Sequence, residues 1–90
     1  MQVHFSKLVH FTRLIKAGGR LREFNFRKLG NVEQDTFTVD TPDDRGNRIL
    51  LRMQKSAGNQ WTILPQILPK WIPEVSDQLQ QSIEEELHRN

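Results

Sequence analysis

Between residues 34 and 64 large apolar side chains fall at alternate positions, and two clusters of turn-forming residues interrupt them. In an extended backbone Phe37, Val39, Ile49, Leu51, Met53, Trp61 and Ile63 all project to one face. A period of two over this length describes antiparallel strands with one covered face and one wet face. The pattern also sends nearly every large apolar group into a core, which leaves little from which to build an obvious site. Only 36% of the 90 residues are hydrophobic and two are alanine, so large side chains must supply that core.

Turn chemistry sets the strand limits. Thr41-Pro42-Asp43-Asp44-Arg45-Gly46-Asn47 and Ser56-Ala57-Gly58-Asn59 are turns by composition. Gly30-Asn31 offers another. Strands are therefore predicted over 21–29, 34–40, 48–55 and 60–64. In the first of these, Phe24 and Phe26 share a side with Arg22 and Lys28. Pro65, Pro69 and Pro73 lack amide hydrogens, so 65–73 reads as a rigid connector.

Two helices are expected to flank the sheet. Leu8, Phe11, Thr12 and Ile15 fit one helical face, Ser6 can cap its start and Gly18-Gly19 can stop it. The spacing predicts a helix over 7–17. A strand is the rival there, because Val3, Phe5, Val9 and Phe11 also alternate, with Lys7 breaking the alternation. At the other end Val75, Leu79, Ile83 and Leu87 repeat every four residues and predict an amphipathic helix over 73–88. Glu74 and Asp77 near its start, and His88 and Arg89 near its end, suit the helix dipole. The expected fold is a single two-layer α+β domain over residues 1–90. It has an N-terminal helix, a four-stranded antiparallel meander and a C-terminal amphipathic helix packed on one sheet face.

Charge is uneven along the chain. Residues 1–30 carry seven basic groups against Glu23 alone, residues 31–60 are near balance, and residues 61–90 hold two basic against five acidic groups. The basic third can grip a polyanion, with Arg13, Lys16, Arg20, Arg22, Arg27 and Lys28 as candidate phosphate contacts. It can equally attract the acidic end of the same chain. Single-strand readers place aromatic rings on an exposed sheet face for base stacking. Here the open face is expected to carry Glu23, Asn25, Arg27, Thr36, Thr38, Asp40, Arg48, Leu50, Arg52, Gln54 and Thr62, with no such platform.

Motifs for catalysis and metal binding are weak. With no cysteine there is no disulfide or thiolate nucleophile. His4 and His10 are six residues apart and His88 is near the chain's end, which gives no convergent ligand set. Asp43-Asp44-Arg45-Gly46-Asn47 is oxygen-rich, but an EF-hand would need glutamate where Gln54 stands and helices on both sides. There is no nucleophile elbow, and Gly18-Gly19-Arg20 lacks the spacing of a phosphate loop. No catalytic residue, cofactor or metal is assigned. No apolar run reaches the roughly 18 residues of a membrane span, and Met1 to Val9 lacks the apolar region of a signal peptide. A cytoplasmic location is the expectation.

No motif singles out one function. The leading expectation is a non-catalytic, macromolecule-binding domain that contacts a protein partner, or a second copy of itself, through Arg48, Leu50, Arg52 and Trp71. Nucleic-acid or other polyanion binding through the basic amino-terminal third is the alternative, and an enzyme without a recognisable motif is the second alternative.

Overall fold

Lys7–Ala17 is a strand, β1, in the computed structural model, which describes residues 7–30 and 36–89. This corrects the helix expected over 7–17, and burial gives the reason. Phe11, Ile15 and Ala17 are buried with Val9 packed against them, whereas His10, Thr12, Leu14 and Lys16 are exposed. That is a strict period of two. Ser6, the expected helix cap, lies outside the described residues.

Gly18 and Gly19 do not stop a helix; they turn a hairpin. Both have positive φ, 63° and 81°, as the central pair of a two-residue type I′ loop requires. Gly18 is constrained twice over, because a Cβ there would lie 2.9 Å from Cβ of Trp71. The loop leads into β2, Arg20–Gly30, which pairs with β1 along its whole length, from Ala17 opposite Arg20 to Lys7 opposite Gly30.

Three further strands follow: β3, Thr36–Pro42; β4, Arg48–Lys55; and β5, Trp61–Ile63. Each pairs antiparallel with its sequence neighbour, so the meander is continuous in the order β1-β2-β3-β4-β5. The β4 limits coincide with the sequence expectation, and β3 runs two residues further than expected, through Pro42. Part of the expected Gly30-Asn31 turn, and the first two residues of the strand expected over 34–40, lie outside the described residues.

The two hairpins after β3 and β4 share one construction. In the first, the Gly46 amide donates to the Asp43 carbonyl at 3.1 Å, and Gly46 has a φ of 84°. In the second, the Asn59 amide donates to the Ser56 carbonyl at 3.0 Å, and Asn59 has a φ of 61°. Each is a type I turn completed by one left-handed residue, glycine in one case and asparagine in the other.

The sheet curls into a half-barrel, and the molecule is mostly antiparallel sheet. Helix α1, Ser76–Leu87, follows a turn of 3-10 helix at Pro73–Val75. Five strands and one short C-terminal helix thus replace the expected four strands and two helices; no N-terminal helix occurs among the described residues. Helix α1 is held on both sides of the half-barrel: the Trp61 amide of β5 donates to Gln80 Oε1 at 2.7 Å, and Arg13 of β1 lies 3.5 Å from Glu86. Val75, Leu79 and Ile83 are buried beneath it, while Leu87, the last of the expected stripe, is exposed.

The core follows from the register. Phe11 and Phe26 are directly opposite on β1 and β2, and their rings stack with centroids 4.6 Å apart. Phe37 meets Phe11 edge-on at 6.0 Å and Trp61 edge-on at 5.2 Å. Such pairs add about 0.5–1.5 kcal/mol each beyond area burial, so this aromatic row ties four of the five strands together.

Candidate interaction surface

With the inner face filled, any contact surface on the sheet must come from residues of opposite parity. Cross-strand register arranges these into rows. One row runs His10, Arg27, Thr38, Arg52 across four strands. The adjacent row runs Thr12, Asn25, Asp40, Leu50. At the β1-β2 tip, Leu14 faces Glu23 and Lys16 faces Leu21, which makes Leu14 and Leu21 diagonal neighbours.

The second row is a polar chain. Thr12 Oγ1 donates to Asn25 Oδ1 at 2.7 Å, and Asn25 Nδ2 donates to Asp40 Oδ1 and Glu23 Oε2, both at 3.1 Å. Arg48 Nη1 reaches the same Asp40 oxygen at 2.6 Å. Asp40 was expected on the wet face; it is largely covered by these partners. The Arg48 charge is therefore spent within the chain.

Around this chain stand groups without such partners. Leu14, Leu21 and Leu50 are 62%, 63% and 51% exposed. Arg27 and Arg52 are exposed, flank Thr38 in the same row, and make no ion pair with a described residue. The structure thus brings together Arg48, Leu50 and Arg52 from the expected protein-contact set with Arg27 from the expected polyanion set.

The remaining candidates are dispersed. Arg22 is buried: its Nε donates to the Ala17 carbonyl at 2.8 Å, its Nη1 lies 3.0 Å from Asp44, and its guanidinium sits 3.7 Å over the Trp71 ring. Arg20 shares the Asp44 carboxylate at 3.1 Å. Arg13 lies over the Phe11 ring at 5.0 Å and pairs with Glu86. Lys16 is exposed on the outer face, and Lys28 is half-buried on the opposite parity, facing Val9. The six basic candidates therefore divide between two faces, and three are already paired. Trp71 is half-buried, clasped by Arg22 and edge-on to Phe24 at 6.4 Å.

The oxygen-rich loop is also satisfied internally. The amides of Arg45 and Asn47 donate to Asp43 Oδ1 at 2.9 and 2.8 Å. Burial by itself would raise the Asp43 pKa; the hydrogen bonds from Asn47 and Arg45, with the Arg45 charge, outweigh it and hold the carboxyl below its ordinary value. Among the described residues no group of three or more histidine, aspartate or glutamate side chains could hold a metal ion. His10 is exposed on β1, His88 Nδ1 contacts the Glu84 carbonyl at 2.7 Å, and His4 lies outside the described residues. None of the described helices is long and apolar enough to cross a membrane.

Leu14 and Leu21 were missed as surface residues. The available signal was their parity: in an extended β1-β2 hairpin both fall opposite the phenylalanines. No protein-family model, curated protein or solved structure matches the chain.

Proposed function

We propose that this chain is a non-catalytic protein-interaction domain that binds its partner through the outer face of the sheet. The observation that carries this reading is the placement of exposed Leu14, Leu21 and Leu50 on the same face as Arg27 and Arg52, two cations without carboxylate partners among the described residues. Leucine and arginine side by side suit a surface that offers apolar side chains and carboxylates together. Trp71, tied to Arg22 and Phe24, is assigned to the scaffold in this reading. The proposal treats residues 1–90 as one domain and has it work in the cytoplasm, as its sequence suggested.

Polyanion binding is the weaker reading because Arg13, Arg20 and Arg22 are engaged with Glu86 and Asp44. Cross-linking capture from the native cell tests the preference, comparing the wild-type chain with Leu50→Glu plus Arg52→Glu. A protein captured by the first and lost with the second, at unchanged melting temperature, supports the proposal. Capture unaffected by the double substitution contradicts it. Strong heparin retention at about 0.15 M salt, abolished by Arg20→Glu plus Arg27→Glu, would favour the polyanion reading instead.

A further inference from the structure

The two edges of the sheet are built differently. β5 has three residues and is followed closely by Pro65, so that edge is short and blunted. β1 has eleven residues, contains no proline and no acidic residue, and ends the strand order with β2 as its one partner among the described residues.

Ladder geometry identifies the backbone groups on that long edge. Ala17 and Arg20 flank a two-residue loop, so they exchange both of their hydrogen bonds, and bonded and non-bonded pairs then alternate along the hairpin. Ile15, Arg13, Phe11 and Val9 therefore aim amide and carbonyl at β2. Lys16, Leu14, Thr12 and His10 aim theirs away from it, across the edge. These four residues are all exposed, and among the described residues none of their amides or carbonyls has a hydrogen-bond partner. An extended segment laid along β1 would satisfy them as an added strand.

We infer that the β1 edge accepts a strand from a partner protein, and that this strand alternates acidic and apolar side chains on the sheet's outer face. Charge selects the occupant. An added strand meets Lys16 with Leu21 beside it at one end, then Leu14 beside Glu23, whose carboxylate accepts from Asn25, then Thr12, and finally His10 with Arg27 beside it. No carboxylate lies on β1 itself. The complementary strand presents an acid, an apolar residue, a small polar residue and a second acid at alternate positions. A second copy of β1 offers Lys16 and His10 no carboxylate in any antiparallel register, and in the register centred on Arg13 it sets His10 against Lys16, basic against basic. This site shares Leu14, Leu21 and Arg27 with the proposed face, but it also needs the β1 edge amides and carbonyls, which contact at Leu50 and Arg52 does not, and those groups tell the two apart.

The test uses the whole chain and a capped heptapeptide with glutamate, leucine, threonine and glutamate at alternate positions and threonine between them. Amide exchange is followed by NMR as the peptide is raised to about millimolar. The expected result is at least roughly tenfold slower exchange at His10, Thr12, Leu14 and Lys16. N-methylation of the peptide amides that face β1 should remove the effect, and lysine in place of glutamate should weaken it. Unchanged exchange at those four amides overturns the inference. So does binding that survives N-methylation and moves the signals of Leu50 and Arg52, which would keep face contact and discard strand addition. Protection of the same amides by self-association without peptide would also overturn it, naming a second copy as the occupant.

Discussion

The guanidinium of Arg22 lies 3.7 Å over the indole of Trp71, and with the Phe24 and Gly18 contacts to the same side chain it joins the β1-β2 hairpin to the proline-rich connector. Arg22 also reaches Asp44 in the β3-β4 loop, so three segments distant in sequence meet at a single buried cation. A desolvated cation over an indole is worth about 2 kcal/mol, and the same guanidinium donates Nε to the Ala17 carbonyl and places Nη1 3.0 Å from Asp44.

Trp71→Ala should destabilise the fold by about 3 kcal/mol, from the lost stacking and the lost contact with Phe24. Gly18→Ala should also destabilise, since its φ is positive and the new methyl would meet Trp71. In a Trp71→Gly background, where both the Cβ and the ring that the Gly18 methyl would meet are gone, the Gly18 substitution should cost at least about 1 kcal/mol less. Urea denaturation of wild type, both single variants and the double variant measures the coupling; strictly additive losses would show that the Trp71 side chain does not press on the turn.

At Asn59, the left-handed residue of the β4-β5 hairpin, Asn59→Val should cost about 1–2 kcal/mol. Asn59→Gly should stay within about 0.5 kcal/mol of wild type, because glycine adopts this backbone without strain. Thermal unfolding of both variants checks the contrast, and equal losses would contradict the turn assignment.

Asp43 gives the stability a pH dependence of known sign. Its pKa is lowered in the folded state, so its carboxylate contributes stability above the ordinary aspartate value of about 3.9 and loses it as pH falls through the lowered value. The melting temperature of wild type should exceed that of Asp43→Asn near about pH 6, and the difference should shrink below about pH 4. A difference that stays constant across that range would show that the charge of Asp43 is not what the loop amides hold.

The outer leucines belong to no packed layer, so Leu14→Thr and Leu50→Thr should each change stability by no more than about 0.5 kcal/mol. Leu79→Ala, on the buried side of α1, should cost about 2–5 kcal/mol. Chemical denaturation separates the two classes.

Much of the sheet was legible because alternation is a local signal. The limits of β4, the inward set from Phe37 to Ile63 and the outward triplet Arg48, Leu50, Arg52 all follow from a period of two. β1 was not legible for a physical reason: Leu8, Phe11, Thr12 and Ile15 fit a helical stripe, and glycines of positive φ end helices as readily as they turn hairpins. Pairing with β2, a tertiary event, decides between them. The same holds for the surface. That Arg27 stands in one row with Arg52 depends on the register through β3, and that Arg20 and Arg22 are neutralised depends on a loop more than twenty residues away.

Amide hydrogen exchange of the domain with and without its captured partner tests the central claim most directly. Contact through the outer sheet face predicts slowed exchange in β1 and β4, around Leu14 and Leu50, with α1 unchanged. A footprint confined to α1 and the connector, with the sheet unaffected, would contradict it.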